Sequence, residues 1–196
     1  MKFNILLMST TLLTGLSVAE SKVYSMRLRD LAYPEVKPVI VGTINGVELE
    51  VEGTIEEFYA KAQEVEPTIA DELFAPRDTT PRLESRTITG RLCYPIAGQP
   101  WQPARLSALH DGANYLAAKG DVRIRQAGKS CGRISCSYSG GIFICNDNTW
   151  EVSPMARFLA ETVYASNQIC RTNKDYSCSQ AFDSSGFNLI TRAADC

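Results

Sequence analysis

The chain has 196 residues, of which 44% are hydrophobic and 21% charged, with a formal net charge of −2, seven cysteines and one histidine. This composition is typical of one modest globular domain and excludes a disordered or fibrous chain. The single histidine excludes mechanisms that need two imidazoles, such as a paired-histidine nuclease or a histidine-rich metal site.

The beginning of the chain has the pattern of a secretory signal peptide. Lys2 carries a positive charge, residues 3–16 are mostly apolar, and residues 17–19 have small side chains at the positions that signal peptidase recognises. The apolar run is shorter than the ~20 residues that span a membrane. We therefore expect cleavage after Ala19 and a secreted, extracellular protein in an oxidising compartment. The alternative is a buried N-terminal helix of a cytosolic protein.

Charge and cysteine content divide the remainder into two unlike parts. Residues 20–86 hold 8 basic and 14 acidic side chains, a net charge of −6, and no cysteine. Residues 87–196 hold 11 basic and 8 acidic side chains, a net charge of +3, and all seven cysteines. The polar segment 75–86, with two prolines, is typical of an exposed linker, and we expect a secretory protease to cut after Arg86. Residues 20–86 are called the leader below, and residues 87–196 the C-terminal domain.

The leader has signals for a β-hairpin and a helix. Asn45–Gly46 between apolar runs in 38–51 predicts a hairpin, since both turn residues tolerate positive φ. Thr54 and Glu57 form a capping-box pattern, and apolar residues at helical spacing follow until Pro67. These elements are too few to form a core alone, so we expect the leader to dock on the C-terminal domain as a folding-assisting or masking propeptide. The alternative is a permanent N-terminal subdomain.

The C-terminal domain alternates extended and helical patterns. Ser153 is expected to cap the second helix, with Pro154 at its first position and Ile169 on its buried face. The order β-α-β-β-α-β predicts an α+β fold, a disulfide-stapled split βαβ sandwich of the ferredoxin-like type, in which two helices cover one face of an antiparallel sheet. The predicted elements are a strand at 87–93, a helix that ends by Lys119, extended chain at 122–124 and 133–136, a return strand at 142–145, the second helix and a closing strand at 187–192.

All seven cysteines fall near the ends of these elements, which is the placement of structural disulfides. No Cys-x-x-Cys pair is present, so a zinc site has little support. In the chain-entropy model, a bridge that closes a loop of about 15 residues adds about 3 kcal/mol. An odd count leaves one thiol over, and the connectivity stays open because six cysteines alone allow many patterns.

The cysteine-rich half of the domain has a distinctive sequence. It contains the run CGRISCSYSGGIFICNDN at 131–148, then QAFD at 180–183 and a final strand that ends at Cys196. These features resemble small cysteine-rich secreted proteins of filamentous fungi, many of which are candidate effectors. The β-α-β-β-α-β order is also similar to the αβ killer toxins of smut fungi, which are made with signal and processed pro-segments.

This resemblance, which covers residues 87–196, implies an effector or toxin that binds a host or competitor target. It also implies six paired cysteines, with Cys178 as the extra thiol. The six are Cys93, Cys131, Cys136, Cys145, Cys170 and Cys196.

Catalytic motifs are absent from the domain. His110 is a lone helical histidine whose neighbour Asp111 points about 100° away, and no Gly-x-Ser-x-Gly elbow surrounds Ser137 or Ser139. Residues 146–148 lack the ligand repeat of a calcium loop and are expected to form a turn. We therefore expect a protein without enzymatic activity, cofactor or metal. The alternative is a secreted hydrolase of cell-wall polysaccharide that uses acids among Asp147, Glu151, Asp175 and Asp183.

A basic segment is the candidate binding surface. Arg123 and Arg125 alternate along a strand and share one face, and Lys129 and Arg133 follow closely. We expect these residues to meet a host or competitor protein, a wall polymer, a membrane surface or the acidic leader. The alternative is an edge strand that its charges protect against aggregation.

Nucleic acid is not an expected partner. The excess charge of +3 is weak, and aromatic side chains are not interleaved with the basic residues. Trp101 and Trp150 are either exposed recognition residues or, as is more common for tryptophan, part of the packing.

Overall fold

The computed structural model describes residues 31–44, 46–68, 88–118 and 121–196. The predicted signal peptide with Ala19 and the linker with Arg86 lie outside these residues. The described helices are α1 (Ile55–Val65), α2 (Leu106–Ala117) and α3 (Ala156–Ile169). The described strands are β1 (Val39–Ile44), β2 (Val47–Glu52), β3 (Ile88–Cys93), β4 (Ala104–Arg105), β5 (Asp121–Arg125), β6 (Ser130–Ser137), β7 (Gly140–Asn146), β8 (Arg171–Asn173), β9 (Tyr176–Ser177), β10 (Ser179–Asp183) and β11 (Phe187–Ala193).

The hairpin and the helix predicted for the leader are confirmed. β1 and β2 pair as an antiparallel hairpin, and Gly46 has a φ of 84°, a left-handed value that glycine adopts without strain. The backbone N–H of Thr54 donates to Glu57 Oε2 (2.6 Å), and the backbone N–H of Glu57 donates to Thr54 Oγ1 (3.4 Å). This capping box starts α1, which ends at Val65, before Pro67.

The C-terminal domain is built on a five-stranded antiparallel sheet in the order β3-β10-β11-β7-β6. α2 and α3 pack against each other and against this sheet, and Leu109, Ala113, Leu159 and Ile144 belong to the shared apolar core. The prediction of a mixed helix and sheet fold with antiparallel strands is therefore confirmed. Ile169 is an exception to the predicted helix face, because it occupies the last position of α3 and is 63% exposed.

The order of strands in this sheet does not confirm the split βαβ arrangement. In a split βαβ unit, the two parallel strands that flank the helix have one strand between them. Here β3 and β6, which flank α2, lie at opposite edges with β10, β11 and β7 between them. The difference arises because β11 pairs directly with β7, so that β3 does not lie between them, and because β10, which the sequence pattern did not predict, separates β3 from β11.

Both faces of the central strands are buried. Every residue of β7 is buried, which matches the apolar run 142–145 at its centre. A second apolar cluster, which includes Trp101, Phe143, Cys131 and Cys145, covers the face opposite the helices. Trp101 is therefore a packing residue, whereas Trp150 is 65% exposed.

The start of α3 corrects the prediction of a Ser153 cap. The helix begins at Ala156, its N-cap is Met155, and no side chain caps it. Pro154 lies before the helix, and its carbonyl accepts a hydrogen bond from the backbone N–H of Ile124 in β5 (3.0 Å). Pairing between distant parts of the chain therefore overrides the local preference of proline for the first helical turn.

Three disulfides are present, and all lie within the C-terminal domain, so structural disulfides are confirmed. Cys178 carries a free, buried thiol. The bridges tie β3 to the end of α3, join β6 to β7 and join β6 to the final residue. They are Cys93–Cys170, Cys131–Cys145 and Cys136–Cys196.

The leader and the C-terminal domain share a second sheet. β1 lies between β2 and β5, so the sheet β2-β1-β5 contains two strands of the leader and one of the domain. A small third sheet, β4-β9-β8, lies within the C-terminal domain.

Candidate binding surface

The sheet β2-β1-β5 has one buried and one outer face. Val41 pairs with Glu50 on one side and with Arg123 on the other, and alternate residues of a strand share a face. The inner side chains, such as Ile40 and Ile124, belong to the core. The outer face, called the mixed-charge face below, carries Glu48, Glu50 and Glu52 from β2, Val39, Val41 and Thr43 from β1, and Asp121, Arg123 and Arg125 from β5.

The two arginines of this face are held by neighbouring groups. Arg125 Nε donates to Glu151 Oε1 (2.9 Å), and its Nη1 lies 3.4 Å from Glu50 Oε2 of the leader. The hydrogen bond and the charge of Glu151, followed by the charge of Glu50, raise the pKa of Arg125. Arg123 Nη1 donates to the carbonyl of Ser153 (3.1 Å). The leader therefore supplies one of the carboxylates that the basic strand faces.

The acidic row was missed by the sequence reasoning, although its signal was present. β2 reads Val-Glu-Leu-Glu-Val-Glu, and a period of two places all three carboxylates on one face. An open depression of about 350 Å³, bordered by Val41, Glu50 and Arg123 among others, lies between the acidic and the basic rows. The face therefore has the acidic row on one side of a less polar strip and the two arginines on the other.

Lys129 and Arg133 do not belong to this face, which corrects the prediction of one patch of four basic residues. Lys129 Nζ donates to the carbonyl of Asp147 (2.6 Å) and lies 5.3 Å from the ring centre of Tyr33. Arg133 lies on β6 of the other sheet and donates to the carbonyl of Asp195 (2.7 Å). The patch divides because β5 and β6 belong to different sheets.

The four acids of the alternative hydrolase each have a local structural contact. Asp147 accepts a hydrogen bond from Asn188 (3.0 Å), and Glu151 binds Arg125. The side chain of Asp183 accepts from the backbone of Ser185 (2.8 Å). The carbonyl of Asp175 accepts from the backbone N–H of Leu106 (2.8 Å). The carboxylates of Asp147, Glu151 and Asp183 are therefore each engaged in a hydrogen bond, whereas the contact of Asp175 is made by its backbone.

His110 is placed as a packing residue. Its ring contacts Tyr164 edge-on, with 5.2 Å between the ring centres, and its Nε2 is buried without a hydrogen-bond partner among the described residues. Burial lowers the pKa of His110, and the positive charge of Arg171 lowers it further, against a smaller opposite effect of Asp111. The lowered pKa favours the neutral imidazole, as suits a partly buried ring.

The segment 146–148 forms a turn closed by its own side chains, as predicted. Asn146 Oδ1 accepts from the backbone N–H of Asn148 (3.0 Å), and Asn146 Nδ2 donates to the carbonyls of Gln126 (3.0 Å) and Trp150 (2.7 Å). Asn148 Nδ2 donates to the carbonyl of Ser185 (2.8 Å). These amides hold three loops together at one end of the main sheet.

Comparison with protein-family models, with curated proteins and with solved structures gave no match to this chain. None of the helices within residues 31–44, 46–68, 88–118 and 121–196 has the length and apolar character needed to cross a bilayer. The same residues bring together no group of three or more His, Cys, Asp or Glu side chains that would suit a metal ion. A functional proposal therefore rests on the geometry of the mixed-charge face.

Proposed function

We propose that this chain is a secreted protein that acts by binding, as an effector directed at a host or a toxin directed at a competitor, and that the mixed-charge face is its binding surface. The observation that carries this proposal is the alignment of Arg123 and Arg125 beside the acidic row, with Val39 and Val41 between them. A less polar strip bordered by charges is the organisation of a protein interface, with its apolar centre and polar rim.

The charge of the face favours a protein partner over an anionic polymer. It carries four acidic and two basic side chains, so its formal charge is negative while the leader is docked. A membrane rich in anionic lipids or an acidic wall polymer is therefore repelled by the three carboxylates of β2 more strongly than it is attracted by β5, whose net charge is +1. A protein with complementary positive and negative groups satisfies both rows.

Secretion and processing belong to the same proposal. The disulfides support an oxidising compartment, and the apolar start of the sequence supports export. The intact mass of the secreted protein tests this part: we expect a chain that starts at Glu20 and is cut after Arg86. A single uncut chain in all secreted material would contradict the processing step.

The binding role is tested by charge reversal of the basic row. The double variant Arg123→Glu/Arg125→Glu is compared with the wild type and with Arg105→Glu/Lys174→Glu, which changes the same total charge at exposed residues of the small sheet. The three proteins are immobilised and exposed to extracellular proteins of candidate hosts and competitors, to vesicles rich in phosphatidylserine and to isolated wall polysaccharide.

We expect the wild type and the control to retain a partner protein. The variant with the reversed basic row should bind that protein at least about tenfold more weakly, a loss of about 1.4 kcal/mol. Equal retention by all three proteins would refute the mixed-charge face as the binding surface. Retention of vesicles or polysaccharide in place of a protein would refute the choice of partner.

A further inference from the structure

The contact between the leader and the C-terminal domain begins with continuous backbone pairing. β1 and β5 pair antiparallel from Val39 opposite Arg125 to Thr43 opposite Asp121. Before β1 in the leader, the carbonyl of Pro34 accepts a hydrogen bond from the backbone N–H of Cys131 (3.0 Å). The leader therefore completes the hydrogen bonding of a strand whose N–H and C=O groups would otherwise face solvent.

The apolar side chains of the leader and the domain form one core. Ile40, Ile55, Phe58 and Ala62 of the leader have no exposed surface, and they belong to the same cluster as Leu109, Ala113, Leu116 and Ile134 of the domain. This list includes residues from β1 and α1 on one side and from α2 and β6 on the other. Neither part can bury its apolar residues alone, because each supplies part of the other's surroundings.

Polar groups join the two parts at the edges of this core. Ser135 Oγ on β6 donates to Glu56 Oε1 on α1 (2.5 Å). The buried Gln126 donates from Nε2 to the carbonyl of Val36 (3.2 Å). These hydrogen bonds would be lost if the leader left, although Gln126 Nε2 would keep its bond to Ser130 Oγ within the domain (2.6 Å), and their loss adds to the cost of separation.

No covalent bond other than the peptide chain joins the two parts. The leader contains no cysteine, and all three disulfides lie between residues 93 and 196. A cut after Arg86 would therefore produce two polypeptides that depend on noncovalent contacts alone.

We infer that the surface formed by β5, α2 and β6 is an interaction surface for the leader itself, and that the leader stays bound to it after the chain is cut. The processed protein is then a two-chain molecule, with the leader as a permanent subunit. The mixed-charge face, which needs β2 and β1 as well as β5, survives processing as a composite surface. The inference builds on the proposed processing, but its test uses an engineered cut and needs neither natural cleavage nor a binding partner.

The experiment places the recognition sequence of a site-specific protease at residues 78–84 of the full chain. After complete cleavage, the protein is passed over a size-exclusion column at ~1 μM, where only an interface tighter than this stays assembled. We expect one peak at the position of the uncut protein. A denaturing gel without reductant should show two separate fragments, because no disulfide joins them.

Two variants in the same background test which contacts hold the leader. Ile55→Ala/Phe58→Ala removes buried side chains of α1, whereas Gln63→Ala changes an exposed residue of the same helix. Circular dichroism of the uncut forms verifies folding first. After cleavage, the leader should dissociate from the double variant at protein concentrations at least ~100-fold higher than those at which it dissociates from the Gln63→Ala control.

Should Ile55→Ala/Phe58→Ala fail to fold before cleavage, the milder Ile55→Val replaces it, with a smaller but still measurable weakening expected. Separate elution of the wild-type leader at ~1 μM would overturn the inference, as would equal retention of the leader in the folded core variant and the control. A cut protein that stays assembled but retains no partner would overturn only the proposed binding function. A leader that separates while the domain still captures a partner would overturn only the inference made here.

Discussion

Phe58 offers the most direct test of the shared core. Its side chain is fully buried on α1, and its ring meets that of Tyr59 edge-on, with 5.3 Å between the ring centres. Phe58→Ala removes this apolar surface and leaves a cavity that the surrounding residues fill only in part. Substitutions of this kind cost about 3–5 kcal/mol. For a chain of this size each kcal/mol lowers the melting temperature by about 2–4 °C, so a decrease of about 6–20 °C is expected.

Urea unfolding of the uncut protein measures this effect. The buried Trp101 lies in the C-terminal domain, so its fluorescence reports on that domain, while the substitution is in the leader. If the two parts unfold together, Phe58→Ala lowers the stability that the domain reports by the full amount. Gln63→Ala on the exposed side of α1 serves as the control and should shift stability by less than about 0.5 kcal/mol. A Phe58→Ala variant whose domain unfolds at the wild-type urea concentration would refute a common core.

The remaining predictions concern the C-terminal domain. Gly112→Ala should destabilise the fold by about 1–3 kcal/mol in urea unfolding, since an added Cβ would lie 2.3 Å from Ser135 Oγ; an unchanged midpoint would mean that α2 moves away from the sheet freely. Because the pKa of His110 is lowered in the folded protein, the unfolded chain binds a proton there at a higher pH than the folded chain does. The free energy of unfolding should therefore fall as pH drops below 6.5, and His110→Gln should reduce that loss. Equal profiles of stability against pH for the two proteins would contradict this. Burial raises the pKa of Cys178 to about 11. A thiol reagent at about pH 8 should therefore modify no thiol in the native protein and one thiol per chain after denaturation. Rapid modification of the native protein would instead show an accessible thiolate.

Local signals account for the parts of the fold that the sequence predicts well. The sequence signals for the leader hairpin and α1 are Asn45–Gly46, the capping-box pair Thr54 and Glu57, and Pro67. Each of these acts on residues a few positions away, so the sequence around it carries the information.

Long-range pairing accounts for the parts that the sequence does not predict. β5 alternates apolar and charged residues. This pattern indicates that one face of the strand is buried, but it does not indicate which strand β5 pairs with. Residues 152–155 also run beside β5, which holds Pro154 before α3, and the placement of β5 and β6 in different sheets separates Arg123 and Arg125 from Lys129 and Arg133. The candidate surface was therefore half predicted: its basic row was recognised, and the acidic row that completes it depends on the contact between the leader and the domain.

The position of β1 between β2 and β5 also bears on synthesis. A ribosome makes the chain from its N-terminus, so the hairpin of β1 and β2 is complete before β5 is translated. When β5 is released, a strand with matching register is already available, and its hydrogen-bonding edge has little time to meet another unfinished chain. The strand that β5 pairs with therefore precedes it in synthesis, and expression of residues 88–196 alone would leave β5 without that partner strand.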